Sequence, residues 1–161
     1  MVVIVMGVVG SGKTTIGQRL ARQLRWPFAD ADDFHSPVSI EKIRSGIPLD
    51  DKDRQPWLER LRGVISGWIT KGESAVLACS ALKSNYRQIL DAGPEVRFVY
   101  LKGSAALIAH RLRSREGHFA GEQILVSQFA DLEEPESAVT VDVSRTPPQI
   151  VADIRQKLGL A

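Results

Sequence analysis

Apolar positions along the chain fall into two rhythms. Five short runs are almost wholly apolar: Met1–Met6, Pro27–Ala31, Ala75–Cys79, Val96–Leu101 and Ala138–Val143. Runs of this kind suit strands buried on both faces. Between them, apolar residues recur at helical spacing, which predicts helices over Lys13–Leu24, Ile40–Ser45, Arg54–Thr70, Ser84–Asp91, Ala105–Arg115, Glu122–Leu132 and Pro148–Leu158. Ile16, Leu20 and Leu24 form one stripe; Trp57, Leu61, Ile65 and Trp68 form another, mostly for core packing. Pro56 is expected in the first turn of its helix, where a missing N–H costs little. Strand alternating with helix predicts an α/β fold whose parallel sheet is covered on both faces. No repeat, low-complexity tract or linker divides the chain, so one domain over residues 1–161 is expected. Two polar stretches, Asp30–Arg54 and Arg111–Phe119, follow the second and fourth strands, and insertions of this kind are expected to touch a substrate.

Composition narrows the classes. A chain of 161 residues suffices for one substantial core, and 43% hydrophobic with 25% charged residues is an ordinary globular balance. A net charge of +2, with no basic run longer than two residues, argues against nucleic acid as a partner. The apolar run at Met1–Met6 meets the glycine-rich stretch Gly7–Thr14 at once, so it is not expected to be a signal peptide, and it is far short of the roughly 18 residues of a membrane span. One cysteine, Cys79, permits no internal disulfide and suits a reducing compartment, so a cytoplasmic protein is expected. Its apolar flanks make Cys79 an inert core thiol.

The chemistry begins at Gly7–Thr14, which reads G-x-x-x-x-G-K-T between the first strand and the first helix. That is a P-loop in its proper context. Its glycines allow a sharp turn and close approach to a ligand, and its amides form an anion nest at a helix N-terminus. Gly7, Val8, Val9, Gly10, Ser11, Gly12, Lys13, Thr14 and Thr15 are therefore the candidate ATP contacts. Lys13 can reach the β- and γ-phosphates, and Thr14 can bind Mg²⁺.

Asp30, Asp32 and Asp33 follow the second strand, at the sheet edge where ligands sit in open parallel sheets. In extended chain Asp30 and Asp32 share a face. The third strand ends in Cys-Ser and offers no carboxylate, so Asp30 is the candidate for the metal's water shell. Asp32 is left to accept a hydroxyl proton, with His35 next in line. Asp33 reads as a helix-capping aspartate. Ser80 and Lys83 follow the third strand; Ser80 is either a helix cap or a ligand contact. Lys42, Arg54, Lys83 and Arg87 can serve any anionic acceptor. Arg111 and Arg115 share a helix face, so a lid could press one guanidinium on a base and aim the other at phosphates; the bland alternative is a solvated helix end. His118 lies beside this lid, His110 reads as structural, and no His/Cys spacing suggests zinc.

Taken together, these motifs resemble the gluconokinases, small P-loop sugar-acid kinases related to shikimate kinase and the nucleoside-monophosphate kinases. The resemblance covers almost the entire chain. It rests on the P-loop, Asp30-Ala-Asp-Asp-Phe-His35, Gly46-Ile-Pro-Leu-Asp50, Asp53-Arg-Gln-Pro-Trp-Leu58, Cys79-Ser-Ala-Leu-Lys83 with Tyr86-Arg87, Leu101-Lys-Gly103, Arg111-Leu112, Gly117-His-Phe119 and Ser127-Gln-Phe129. It implies a three-layer P-loop NTPase fold with a five-stranded parallel sheet of order 2-3-1-4-5. It also implies a substrate segment near residues 34–70 and a lid near 113–127. The implied reaction is Mg²⁺-assisted phosphorylation of D-gluconate by ATP to 6-phospho-D-gluconate, and a homodimer is compatible. By position, Arg111 resembles the adenine-stacking arginine and Arg115 the lid arginine on phosphate. Arg145 and Pro147, within Arg145-Thr-Pro-Pro148, resemble the loop that closes over adenine. Val9 departs from a small polar residue, and Ser39 and Ile43 from an Asn and a Met; the latter two bear on the substrate contacts.

Two rival functions remain at the level of sequence. One is a kinase for another small anionic acceptor, such as shikimate or a nucleoside monophosphate. The other is a nucleotide-dependent switch, against which stand the paired carboxylates and the lack of a guanine-reading Asn-Lys-x-Asp.

Overall fold

The computed structural model describes residues 1–116 and 119–160, with side chains outside positions 115–122. Five strands, β1 (Val2–Met6), β2 (Phe28–Asp30), β3 (Ala75–Ala78), β4 (Val96–Lys102) and β5 (Val139–Asp142), form one sheet of order β2-β3-β1-β4-β5. Every pairing is parallel, and β1 lies at the centre, with Val2 opposite Ala75 on one side and Val96 on the other. The helices are α1 (Lys13–Leu24), α2 (Pro37–Arg44), α3 (Asp51–Thr70), α4 (Ser84–Leu90), α5 (Ala105–Glu116), α6 (Phe119–Asp131) and α7 (Pro147–Lys157).

The unbroken apolar pattern of β1 has a direct structural cause: all five of its residues are fully buried. Alternation sends Val2, Ile4 and Met6 into a core with Leu58, Leu61 and Ile65 of α3 and Leu90 of α4. Val3 and Val5 point the other way, against Ile16 and Leu20 of α1 and Ile150 and Ile154 of α7. Helices thus cover both faces, as a fully parallel sheet requires. A third, smaller cluster joins Val8, Leu82, Ile108 and Leu125, so α5 and α6 pack over the loops at the strand ends. Among the described residues no helix is long and apolar enough to cross a membrane.

Four boundaries differ from the sequence pattern. β2 is only three residues long, and Ala31–Phe34 coil into a 3₁₀ turn instead of continuing the strand. Asp32 therefore does not share an extended face with Asp30. Helix α3 starts at Asp51, not Arg54, because Asp50 and Asp53 form a reciprocal capping box. The Asp53 amide donates to Asp50 Oδ1 at 2.8 Å and the Asp50 amide to Asp53 Oδ2 at 3.0 Å. Pro56 consequently sits inside the helix and not in its first turn. Ser36 caps α2 from Pro37, and α6 begins at Phe119, earlier than the expected Glu122.

Candidate active site

The site forms at the C-terminal ends of β1, β2 and β3, where three loops converge. The first is the P-loop. Gly10 and Gly12 have φ of 79° and 97°, a region that favours glycine. Val8 O accepts from both the Ser11 amide and Lys13 Nζ, each at 3.1 Å. The amides of Gly10, Gly12, Lys13 and Thr14 meet no protein acceptor among the described residues and stand at the head of α1, as an anion nest requires. Ser11 is buried, and its hydroxyl has no partner among the described residues. Burial lowers the pKa of Lys13, while Asp32, Cys79 and Asp30 oppose that shift. Lys13 is thus a poorly solvated cation beside an anion cradle.

The second loop is the 3₁₀ turn. Thr14 Oγ1 donates to Asp30 Oδ2 at 2.7 Å, and Asp30 Oδ1 accepts from the Asp32 amide at 3.0 Å. Asp30 therefore links P-loop and turn. Helix α3 clamps this turn from outside: Trp57 Nε1 donates to Ala31 O at 2.7 Å, and Arg60 Nε to Phe34 O at 2.9 Å. His35 stacks on Trp57 with ring centroids 4.5 Å apart, and its Nε2 lies 3.8 Å from Asp32 Oδ1. Burial lowers the His35 pKa against the pull of Asp32, which favours the neutral ring. The Asp32 side chain is 87% exposed. Partial desolvation by the surrounding protein and then the Asp30 charge raise its pKa, with Lys13 and His35 opposing. A carboxylate made more basic beside a phosphate site is suited to general-base work.

The third loop runs from Cys79 to Lys83. Ala81 adopts φ of 44°, uncommon for a residue with a Cβ. Arg87 stabilises it, donating to Ala81 O at 2.7 Å, Leu82 O at 3.0 Å and Glu133 O at 2.7 Å. Arg87 was expected at the substrate; its guanidinium is instead spent on main-chain carbonyls. Lys42, another expected substrate cation, is engaged by Asp53, with Nζ 2.8 and 2.9 Å from its two oxygens. Arg54 and Lys83 do come together, their charged ends 5.7 and 5.6 Å from the ring centroid of Tyr86. Arg54 Nη1 donates to Tyr86 Oη at 3.1 Å, and that hydroxyl donates to Asp51 at 2.9 Å. Ser80 is not the cap of α4: Lys83 holds that place, and Glu133 Oε1 takes the Ser84 amide. The Ser80 carbonyl accepts from the Gly7 amide at 3.4 Å.

At the other end of the cleft, Asp142 of β5 feels both Arg145 and Arg111, after its bonds with Ser144 have lowered its pKa. The two expected adenine residues thus share one sheet end. Arg145 is also paired with Asp153 at 2.7 Å, and Pro147 opens α7 behind the Thr146 cap. The Arg115 side chain and His118 lie outside the described residues. Sequence reasoning gave no site role to Tyr86, Asp51 or Gln128 and only a packing role to Trp57; the Gln128 Oε1 accepts from the Val9 amide at 2.6 Å. Three of these stood in motifs already noted, Asp53-Arg-Gln-Pro-Trp-Leu58, Tyr86-Arg87 and Ser127-Gln-Phe129.

The donor set around Thr14 and Asp30 is all oxygen, which fits a hard cation held largely by phosphates and water. Among the described residues no three His, Cys, Asp or Glu side chains gather to hold a metal by themselves. Sheet, anion cradle, buried lysine and paired carboxylates define a P-loop phosphotransferase, a class that uses ATP with Mg²⁺. The family model described as shikimate kinase matches residues 9–158. A probable gluconokinase of Mus musculus is 42% identical over 98% of this chain and 97% of its own, and a gluconokinase of Arabidopsis thaliana is 43% identical over 98% and 92%. The crystal structure of a gluconokinase from Sinorhizobium meliloti superposes with a TM-score of 0.86 at 38% identity, over 98% of this chain and 90% of that one. The chain belongs to the gluconokinase family, within the shikimate-kinase-like P-loop kinases.

Proposed function

We propose that this protein transfers the γ-phosphoryl group of ATP to the terminal hydroxyl of D-gluconate, giving 6-phospho-D-gluconate and ADP. The observation that carries the chemistry is the common cleft of Lys13, Asp30 and Asp32, in which each carboxylate acts electrostatically on the buried lysine. The acceptor's identity draws on the names of the relatives.

In this reading the amides of Gly10 to Thr14 hold the phosphates. Lys13 leaves Val8 O to follow the charge that grows on the γ-phosphoryl oxygens. The acceptor oxygen bonds to Pγ as the bond from Pγ to the bridging oxygen breaks, ADP departs, and Asp32 takes the hydroxyl proton. Trp57, Arg60 and His35 keep the turn carrying Asp32 in place. Thr14, and Asp30 through water, would hold Mg²⁺, which supplies charge neutralisation and phosphate orientation when bound. Arg54 and Lys83, two cations against one aromatic ring, are the best-supported holders of the acceptor's carboxylate. Arg111, Arg145 and Pro147 would flank the adenine, and Arg115 and His118 belong to the proposed lid. The reading includes a cytoplasmic protein, which the single buried thiol suits, and a homodimer, which sedimentation would test.

The test is an ADP-release assay with gluconate, shikimate, AMP and glucose offered separately. Gluconate is expected to be the fast acceptor, with glucose, which lacks a carboxylate, near background. Glucose or AMP outrunning gluconate overturns the acceptor. The second reading, another anionic acceptor, is favoured by the shikimate kinase family match and is decided by the shikimate arm.

A further inference from the structure

The P-loop is tied to itself by short-range bonds and to the third loop through the Gly7 amide on Ser80 O, and a further bond reaches it from still farther along the chain. The Val9 amide donates to Gln128 Oε1 at 2.6 Å, across a separation of 119 residues. Val9 N–H and Val8 C=O belong to one peptide unit, and in a trans peptide they point in opposite directions. Val8 O is the atom that accepts from Lys13 Nζ and from the Ser11 amide. The Val8–Val9 peptide is therefore held from both sides: Gln128 on one, Lys13 and Ser11 on the other.

Packing makes the tie stiff. Leu125 of α6 is buried in a cluster with Val8, Leu82 and Ile108, and Val9 and Phe129 pack against it. This contact also explains a valine where a small polar residue was expected: its side chain is part of that cluster. The C-terminal half of α6 is thus a wall of the P-loop, although α6 begins within the segment expected to move as a lid.

We propose that Gln128 is a positioning residue for Lys13: by fixing the plane of the Val8–Val9 peptide, it sets where the lysine ammonium rests and couples that position to α6. Gln128 acts through the loop and does not touch the reacting atoms. Because removal of this half-buried acceptor leaves the Val9 amide without its protein partner, the peptide becomes free to turn and the cradle loses its fixed shape.

The experiment compares Gln128→Leu, which removes the acceptor, with Gln128→Glu, which keeps one at the same reach. The inference rests on the kinase reading, so the wild type is assayed first; no turnover there fails that reading and not this one. Gln128→Leu is expected to lower kcat about tenfold and to raise the ATP KM severalfold, with the gluconate KM within twofold. Its thermal midpoint should stay within a few degrees of wild type, and Gln128→Glu should regain most of the lost kcat. Wild-type kinetics in Gln128→Leu overturns the inference. Equal losses in both variants overturn it too, as does a loss that falls alike on ATP and gluconate together with a lowered midpoint, since those are the marks of packing alone.

Discussion

Replacing Gly10 by alanine probes the contact between the P-loop and α5. The residue sits at φ of 79°, so any Cβ is strained there by about 1–2 kcal/mol. The new carbon would also lie 2.7 Å from Leu112 Cγ, 2.8 Å from Leu112 Cδ2 and 3.2 Å from Ile108 Cγ2. Forcing such a group into a packed contact adds about 1–3 kcal/mol, for a total of about 2–5 kcal/mol. Leu112→Ala alone removes a half-buried side chain and should cost about 1–2 kcal/mol, below the about 2–5 kcal/mol of a fully buried leucine. In the double variant the Leu112 clash vanishes, whereas the φ strain and the tight approach to Ile108 remain. The double should therefore be about 1–2 kcal/mol more stable than the two single effects sum to. Equilibrium urea unfolding of all four proteins measures this directly. Gly10→Ala should also raise the ATP KM more than the gluconate KM. Additivity within about 0.5 kcal/mol would refute the claim that Leu112 closes over the loop at Gly10.

Asp30→Asn is expected to raise the Mg²⁺ concentration for half-maximal turnover, with an unchanged Mg²⁺ profile refuting the metal role of the Thr14–Asp30 pair. Asp32→Asn should lower kcat about 10²–10⁴-fold while ATP still binds, measured by steady-state kinetics and calorimetry. The same variant should have a higher thermal midpoint at pH 7. Asp32 ionises less readily folded than unfolded, so its charge penalises the fold above its raised pKa, and the advantage of Asn fades as pH falls toward the ordinary value of 3.8. Tyr86→Phe keeps the ring under both cations but removes the hydroxyl that orients Arg54; the gluconate KM should rise severalfold with kcat little changed.

What could be read from the sequence was what depends on neighbouring residues. The P-loop is one continuous stretch, and the apolar runs on either side of it mark strand and helix without reference to the rest of the chain. Thr14 and Asp30 could be paired because each stands at the end of an adjacent element. The 3₁₀ turn was missed because the clamp that shapes it, Trp57 and Arg60, comes from another helix. Lys42 and Arg87 look like free cations in one dimension; only the fold brings Asp53 to the first and three carbonyls to the second. The Asp50–Asp53 capping box was legible in principle, since both members are three residues apart, but Pro56 suggested a later start. Gln128 illustrates the opposite limit, a side chain whose partner lies 119 residues away.

The central place of β1 has a consequence for how the chain acquires its shape. β1 is made first, yet both of its neighbours, β3 from Ala75 and β4 from Val96, come much later. At about 5–20 residues per second of synthesis, five consecutive apolar residues wait about 4–14 s for their first pairing partner. Loops of this length close slowly, and unpaired β-branched segments attract other chains in the meantime. Newborn copies should therefore gain from a chaperone that shields Val2–Met6, and yields of the folded protein should fall with expression rate more steeply than its final stability suggests.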